Sequence, residues 1–125
     1  MNDKQLQQSI NKNRMPDVPY GLCYASNMVM RDGHPVGYMY RRQPHYDGDS
    51  GWVFLGGSET EEYMDNPNNN ALYSLSALAE HDPSIIPFLD APIGSAFARQ
   101  SKSREFVKVN TPDSVHPNTT PFASN

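Results

Sequence analysis

Carboxylates are the side chains here that crowd closely enough to suggest chemistry. Asp47 and Asp49 stand two apart in "DGDSG", the spacing that opens a calcium loop. A complete loop continues with an oxygen donor at its fifth position and a glutamate at its twelfth. Gly51 and Ser58 occupy those positions, so the loop is incomplete. A weak divalent site shared with Glu59 or Glu62 stays open beside the plainer reading of a solvated Asp-Gly turn.

Gly56-Gly57-Ser58 invites comparison with a phosphate-binding glycine loop. Helix-start N–H groups do attract anions, but Glu59, Glu61 and Glu62 fill the turn that follows and would repel a phosphate. No lysine follows the glycines as a P-loop requires. Nucleophiles fare no better. Ser95 in "IGSAF" lacks the second glycine of a nucleophile elbow, and Ser50 has no oxyanion-hole context. Cys23 sits between Leu22 and Tyr24, where a small buried thiol is expected. The histidines at 34, 45, 81 and 116 show no metal-ligand spacing. A Cys–His pair assembled only by the fold, or a hydrolase built on Asp47, Asp49 or Glu62, is the residual enzymatic reading.

The elements that must hold these residues follow from periodicity. Gly21 to Met30 alternates like a strand, Asp32-Gly33 is a tight-turn signal, and Val36, Tyr38 and Tyr40 alternate again, so residues 22–41 read as a hairpin. "WVFL", Trp52 to Leu55, is apolar on both faces and belongs inside a sheet. Gly56 and Gly57 break that strand. Ser58 with Glu61 forms a capping-box pattern, placing a short helix from about Glu59 to before Pro67, displayed outward. Ala71 to His81 reads as a second helix with a leucine stripe, stopped by His81 and Pro83. "IGSAFAR" and "EFVKV" close the domain as strands. The expected fold is α+β: a mainly antiparallel sheet of about five strands, with one or two short helices between the third and fourth.

At 125 residues the chain is one domain long. Residues 1–18 read as a polar arm with one weak amphipathic pattern, Leu6 and Ile10. Residues 19–109 read as the folded unit, and 110–125 as a proline-bearing disordered tail. A single cysteine excludes an internal disulfide and a cysteine-rich zinc site. No apolar run is long enough to span a bilayer, and the N-terminal residues do not resemble a secretory signal, so a cytoplasmic location is expected.

The net charge is -4, and its placement matters more than its size. Between Arg42 and Arg99 lie nine acidic residues and no lysine or arginine. Such a block repels nucleic acid and anionic membranes, whose binding relies on basic side chains. All seven tyrosines and the single tryptophan lie between Tyr20 and Tyr73, in or beside that block. Trp52 and Phe54 are core candidates. Tyr46 in a polar loop and Tyr63 beside glutamates suit a surface that captures a basic protein, against the alternative of an ordinary solvated acidic face.

Three segments in order, "VGYMYR", "DSGWVFLGG" followed by E-x-x-Y, and "IIPFLDAPIGSAF", carry a resemblance to the bacterial immunity-protein family numbered 33, over Cys23 to Arg99. The resemblance implies a small α+β cytoplasmic protein that binds and neutralises a cognate toxin, without catalytic residues or cofactor. The expected contact residues are Tyr46, Asp47, Asp49, Glu59, Glu61, Glu62, Tyr63 and Asp65, with Trp52, Phe54, Gly56, Gly57 and Ser58 holding the scaffold. The competing expectation is a regulatory domain that binds a metabolite or divalent ion in a pocket between the sheet and the 71–80 helix, without a tight protein partner.

Overall fold

The computed structural model describes residues 18–111. The Leu6 and Ile10 pattern and nearly all of the expected tail lie outside them. Along the chain run β1 (Leu22–Ser26), α1 (Asn27–Met30), β2 (Tyr38–Arg41), β3 (Asp49–Leu55), α2 (Glu61–Asp65), a 3-10 turn (Pro67–Asn69) and β4 (Asn70–Ser74). Next come α3 (Leu75–His81), a 3-10 segment (Pro83–Phe88), β5 (Ala96–Arg99) and β6 (Phe106–Val109). The six strands form one sheet in the order β4-β1-β3-β2-β5-β6. β1 and β3 are parallel, and every other pairing is antiparallel.

The fold class is α+β, but the sheet is mixed and has six strands rather than about five. Residues 22–41 are not a hairpin. β3 lies between β1 and β2, because its doubly apolar sequence needs a strand on each side and a covered surface on each face. The strand expected to reach Met30 stops at Ser26, and α1 follows. The Asp32-Gly33 signal closes the loop after α1: the Asp32 N–H donates to the Asn27 carbonyl at 2.9 Å, and Gly33 has φ +81°. The second helix is also shorter than its pattern. Asn70 to Ser74 pairs with β1, and α3 begins at Leu75, capped by the Ser74 hydroxyl, which accepts from the Ala77 N–H at 3.1 Å.

One face of the sheet carries Cys23, Ala25, Met39, Trp52 and Phe54, all fully buried. Leu75, Leu78 and Ala79 of α3 close over it together with Ile85 and Leu89. Trp52 meets the sequence requirement of a buried indole by donating from Nε1 to the Leu89 carbonyl at 3.0 Å. Phe88 joins the far strands to this core, with its ring 4.8 Å from Phe97 and 5.4 Å from Phe106. The opposite face holds a smaller cluster of Tyr38, Val53, Leu55 and Ala96, with Met64 of α2 packed against it.

β3 is kinked at Gly51. Leu22 pairs with Asp49 while Tyr24 pairs with Val53, so two residues of advance on β1 correspond to four on β3. Gly51 takes φ +85°, and a Cβ there would lie 2.2 Å from the Arg42 carbonyl oxygen. Only glycine fits such a bulge.

Candidate functional site

Each expected contact residue sits at one end of β3 or the other. At its start, the loop from Arg42 to Gly48 is organised by Asp49, whose carboxylate accepts from the Arg42 guanidinium at 2.8 Å, the His45 N–H at 2.8 Å and the Gly51 N–H at 2.9 Å. Burial alone would raise the Asp49 carboxyl. The hydrogen bond from Arg42 and the N–H groups of His45 and Gly51 outweigh it and hold the group below the ordinary aspartate range. Asp49 is therefore a buried structural anion, not a displayed contact residue. Its neighbours Tyr46 and Asp47 are exposed on the outside of the loop that it shapes.

Past the other end of β3, the expected capped helix is rearranged around Glu59. This side chain is 1% exposed. Its carboxylate accepts from the Ser26 hydroxyl at 2.5 Å, the Gly56 N–H at 2.7 Å and the Gly57 N–H at 2.8 Å. The Gly-Gly turn does bind an anion, as glycine-rich turns do, but the anion is the chain's own glutamate. Because residue 59 folds back into the turn, it cannot open a helix. The cap passes to Thr60, whose hydroxyl accepts from the Tyr63 N–H at 3.1 Å, and α2 starts at Glu61. Ser58 is exposed, its hydroxyl 3.2 Å from the Met28 sulfur.

Glu59 and Asp49 thus leave the set of displayed residues, while Asp47, Glu61, Glu62 and Asp65 remain exposed and Tyr63 is half-buried. The survivors do not form one compact patch. β3 spans seven residues, about 20 Å at strand rise, and separates Tyr46 and Asp47 from the carboxylates of α2.

A third buried carboxylate, Asp82, lies outside the expected contact set. It accepts from the Val36 N–H at 2.9 Å, the Ser84 hydroxyl at 2.5 Å and the Arg99 guanidinium at 2.9 Å. Burial would raise it, but the Ser84 hydroxyl, the Val36 N–H and the Arg99 charge hold it below the ordinary range. Arg99 also donates to the carbonyls of Val36 and Arg104, so this ion pair joins β5, the loop before β2 and the end of α3. Asp82 directly precedes a proline and lies two residues before Ser84, an Asx-turn signal that was available in the sequence.

The geometry offers little to a reaction. Burial first and the Asp49 charge second push the Cys23 thiol up to about 12, so it carries almost no thiolate near neutral pH. Among the described residues no group of three or more His, Cys, Asp or Glu side chains is placed to hold a metal ion. The interface expected to hold a ligand, between the sheet and residues 71–80, is filled by Leu75, Leu78 and Ala79. An open cleft of about 860 Å³ lies elsewhere, bounded by the Gly56-Gly57 turn, Arg99 and Arg104. No helix among the described residues is long and apolar enough to cross a membrane.

Neither a curated protein nor a solved structure matches this chain. A family model, that of the immunity protein Imm33 domain, matches residues 23–110. That match begins inside β1, ends just past β6, and takes in the Asp49, Glu59 and Asp82 anchors and the exposed carboxylates between them. The chain belongs to the Imm33 immunity protein family.

Proposed function

We propose that this protein binds and neutralises a cognate bacterial toxin without chemistry of its own, through the exposed acidic side chains at the two ends of β3 and the tyrosines beside them. Membership of an immunity-protein family is the observation that carries the reading. The exposure of Asp47, Glu61, Glu62 and Asp65 supplies its electrostatics. Carboxylates held at both ends of a rigid strand suit a toxin surface that is basic over a comparable span, with Tyr46 and Tyr63 as amphipathic anchors. Such a surface raises the association rate through long-range attraction and loses that advantage as salt screens it.

The test is affinity capture with the tagged full chain, beside a variant carrying Asp47→Lys, Glu61→Lys, Glu62→Lys and Asp65→Lys. The captured protein is then expressed alone and with each version. A basic protein that arrests growth alone, is silenced by the wild type and escapes the folded variant is the expected result. A toxic partner silenced equally by both versions would remove the acidic surface from the mechanism. Absence of any toxic partner would overturn the immunity reading for this chain.

A further inference from the structure

The edge of the sheet at β4 is built to accept another strand. β4 is the last strand on its side, with no strand beyond it among the described residues. Its register against β1 pairs Ser74 with Leu22, Leu72 with Tyr24 and Asn70 with Ser26. The Leu75 N–H donates to the Gly21 carbonyl at 3.0 Å, while the Leu22 N–H turns away to the Gly48 carbonyl on the β3 side. Antiparallel ladders alternate hydrogen-bonded and non-hydrogen-bonded pairs. Residues 71, 73 and 75 therefore face β1, and Leu72 directs both its N–H and its C=O outward. The Asn70 carbonyl and the Ser74 N–H point the same way. An extended segment laid antiparallel to β4 meets four aligned backbone groups.

Natural proteins usually guard such an edge with a lysine, a proline or a bulge. The opposite edge, β6, carries Lys108. β4, "NALYS", has none of these devices. Leu72 at its centre is 47% exposed, and Leu22, adjoining on β1, is 39% exposed. Both side chains lie on the sheet face opposite α3, and the nearer one, Leu72, would be covered by an apolar residue of an added strand.

Charge decides between occupants. The acidic helix α2 enters β4 through only the short turn Pro67–Asn69, so Glu61, Glu62 and Asp65 flank the Asn70 end of the edge. The β4 of a second copy, "NALYS", brings no lysine or arginine to α2, and two chains of net charge -4 repel. A basic segment meets no such repulsion and gains attraction from α2.

We infer that β4 is the docking edge for an extended segment of the protein partner, added antiparallel as a seventh strand, with an apolar residue beside Leu72 and basic residues running past Asn70 toward α2. This mode of recognition draws affinity from main-chain hydrogen bonds and specificity from alternate side chains. It rests on the reading of the protein as a toxin binder, and it names the part of the partner that is held.

The experiment uses the full chain and a blocked peptide of alternating threonine and valine ending in a lysine run, followed by amide hydrogen exchange. The Leu72 and Ser74 amides should slow by about tenfold at a peptide concentration about ten times the Kd. The same peptide ending in glutamates should leave them unchanged. Leu72→Pro removes the outward N–H at an edge position where proline is tolerated. It should abolish the protection while circular dichroism stays that of the wild type, and Leu72→Lys should weaken it by charge. No protection by the lysine peptide, or protection that survives Leu72→Pro, overturns the inference. Protection that grows with protein concentration without peptide overturns it in favour of a second copy. Failure of the two readings is separable: a toxin silenced equally by wild type and Leu72→Pro removes the edge and leaves the immunity function. A peptide held at β4 in a chain that silences no toxin does the reverse.

Discussion

Replacing Glu59 by alanine tests the claim that the most buried carboxylate of the acidic stretch is structural. The substitution removes one acceptor group that serves three donors. The Gly57 N–H lies in an exposed turn and the Gly56 N–H in a partly exposed one, so water can replace much of what they lose. The Ser26 hydroxyl cannot be rescued that way, because Ser26 is fully buried between strands. A buried donor left without a partner costs about 1–3 kcal/mol, and the space vacated by the side chain adds about 1 kcal/mol. The expected loss is about 3 kcal/mol, which lowers the melting temperature of a domain this size by about 12–24 °C. Glu59→Gln keeps the shape and one acceptor oxygen but turns an amide NH₂ toward a backbone donor, so it should cost about 1–2 kcal/mol. Glu61→Ala, on the exposed side of the same turn, should stay within about 0.5 kcal/mol of wild type. Urea unfolding followed by tryptophan fluorescence reads all three, since Trp52 is buried in the core. Equal stability of Glu59→Ala and Glu61→Ala would show that the Glu59 carboxylate does not hold the Gly56-Gly57 turn.

Other outcomes follow from the remaining anchors. The native Cys23 thiol should resist Ellman's reagent at pH 8 and react promptly only in denaturant, because burial raises it to about 12. The depressed Asp49 and Asp82 carboxyls contribute stability that is complete above their unfolded value, near 3.8, and lost as pH falls through their lower folded values. An acid titration of unfolding free energy should therefore be flat near neutrality and fall steeply below about pH 4, with Asp49→Asn flattening part of the fall. Gly51→Ala should cost about 2–4 kcal/mol, measured by urea unfolding, because it combines a left-handed φ with a collision against the Arg42 carbonyl.

The parts of the fold that were legible in the sequence are those fixed by short-range pattern. Trp52 to Leu55 announces an interior strand by being apolar on both faces, and β3 is buried along its whole length. The misreadings share one cause, pairing at long range. A local pattern shows that residues 22–26 and 38–41 are strands, but not that β3 inserts between them. "ALYSLSALAEH" carries leucines at helical spacing throughout, yet its first four residues are held by β1, whose Cys23, Tyr24 and Ala25 lie some fifty residues earlier. Five residues are too few for periodicity to separate strand from helix. The acidic site was half legible for the same reason. Exposure of Glu61 and Glu62 follows from their place in the first turn of a short helix, whereas burial of Glu59 depends on Ser26, a donor 33 residues distant.

The three buried carboxylates show how an acidic stretch divides between scaffold and surface. Asp49, Glu59 and Asp82 each stand next to chain that turns sharply, at Gly51, at Gly56-Gly57 and at Pro83, where backbone N–H groups converge without ladder partners. A carboxylate there satisfies several such donors at once with charge-assisted hydrogen bonds, which offset the cost of taking the anion out of water. Asp47, Glu61, Glu62 and Asp65 accept no comparable set of bonds from the described residues and keep their charge at the surface. Acid count alone therefore overstates the exposed acidic surface. What remains is two small groups held apart by β3, with the β4 edge beside one of them; on the proposed reading, such an arrangement would select a partner by shape and main-chain pairing as much as by its charge.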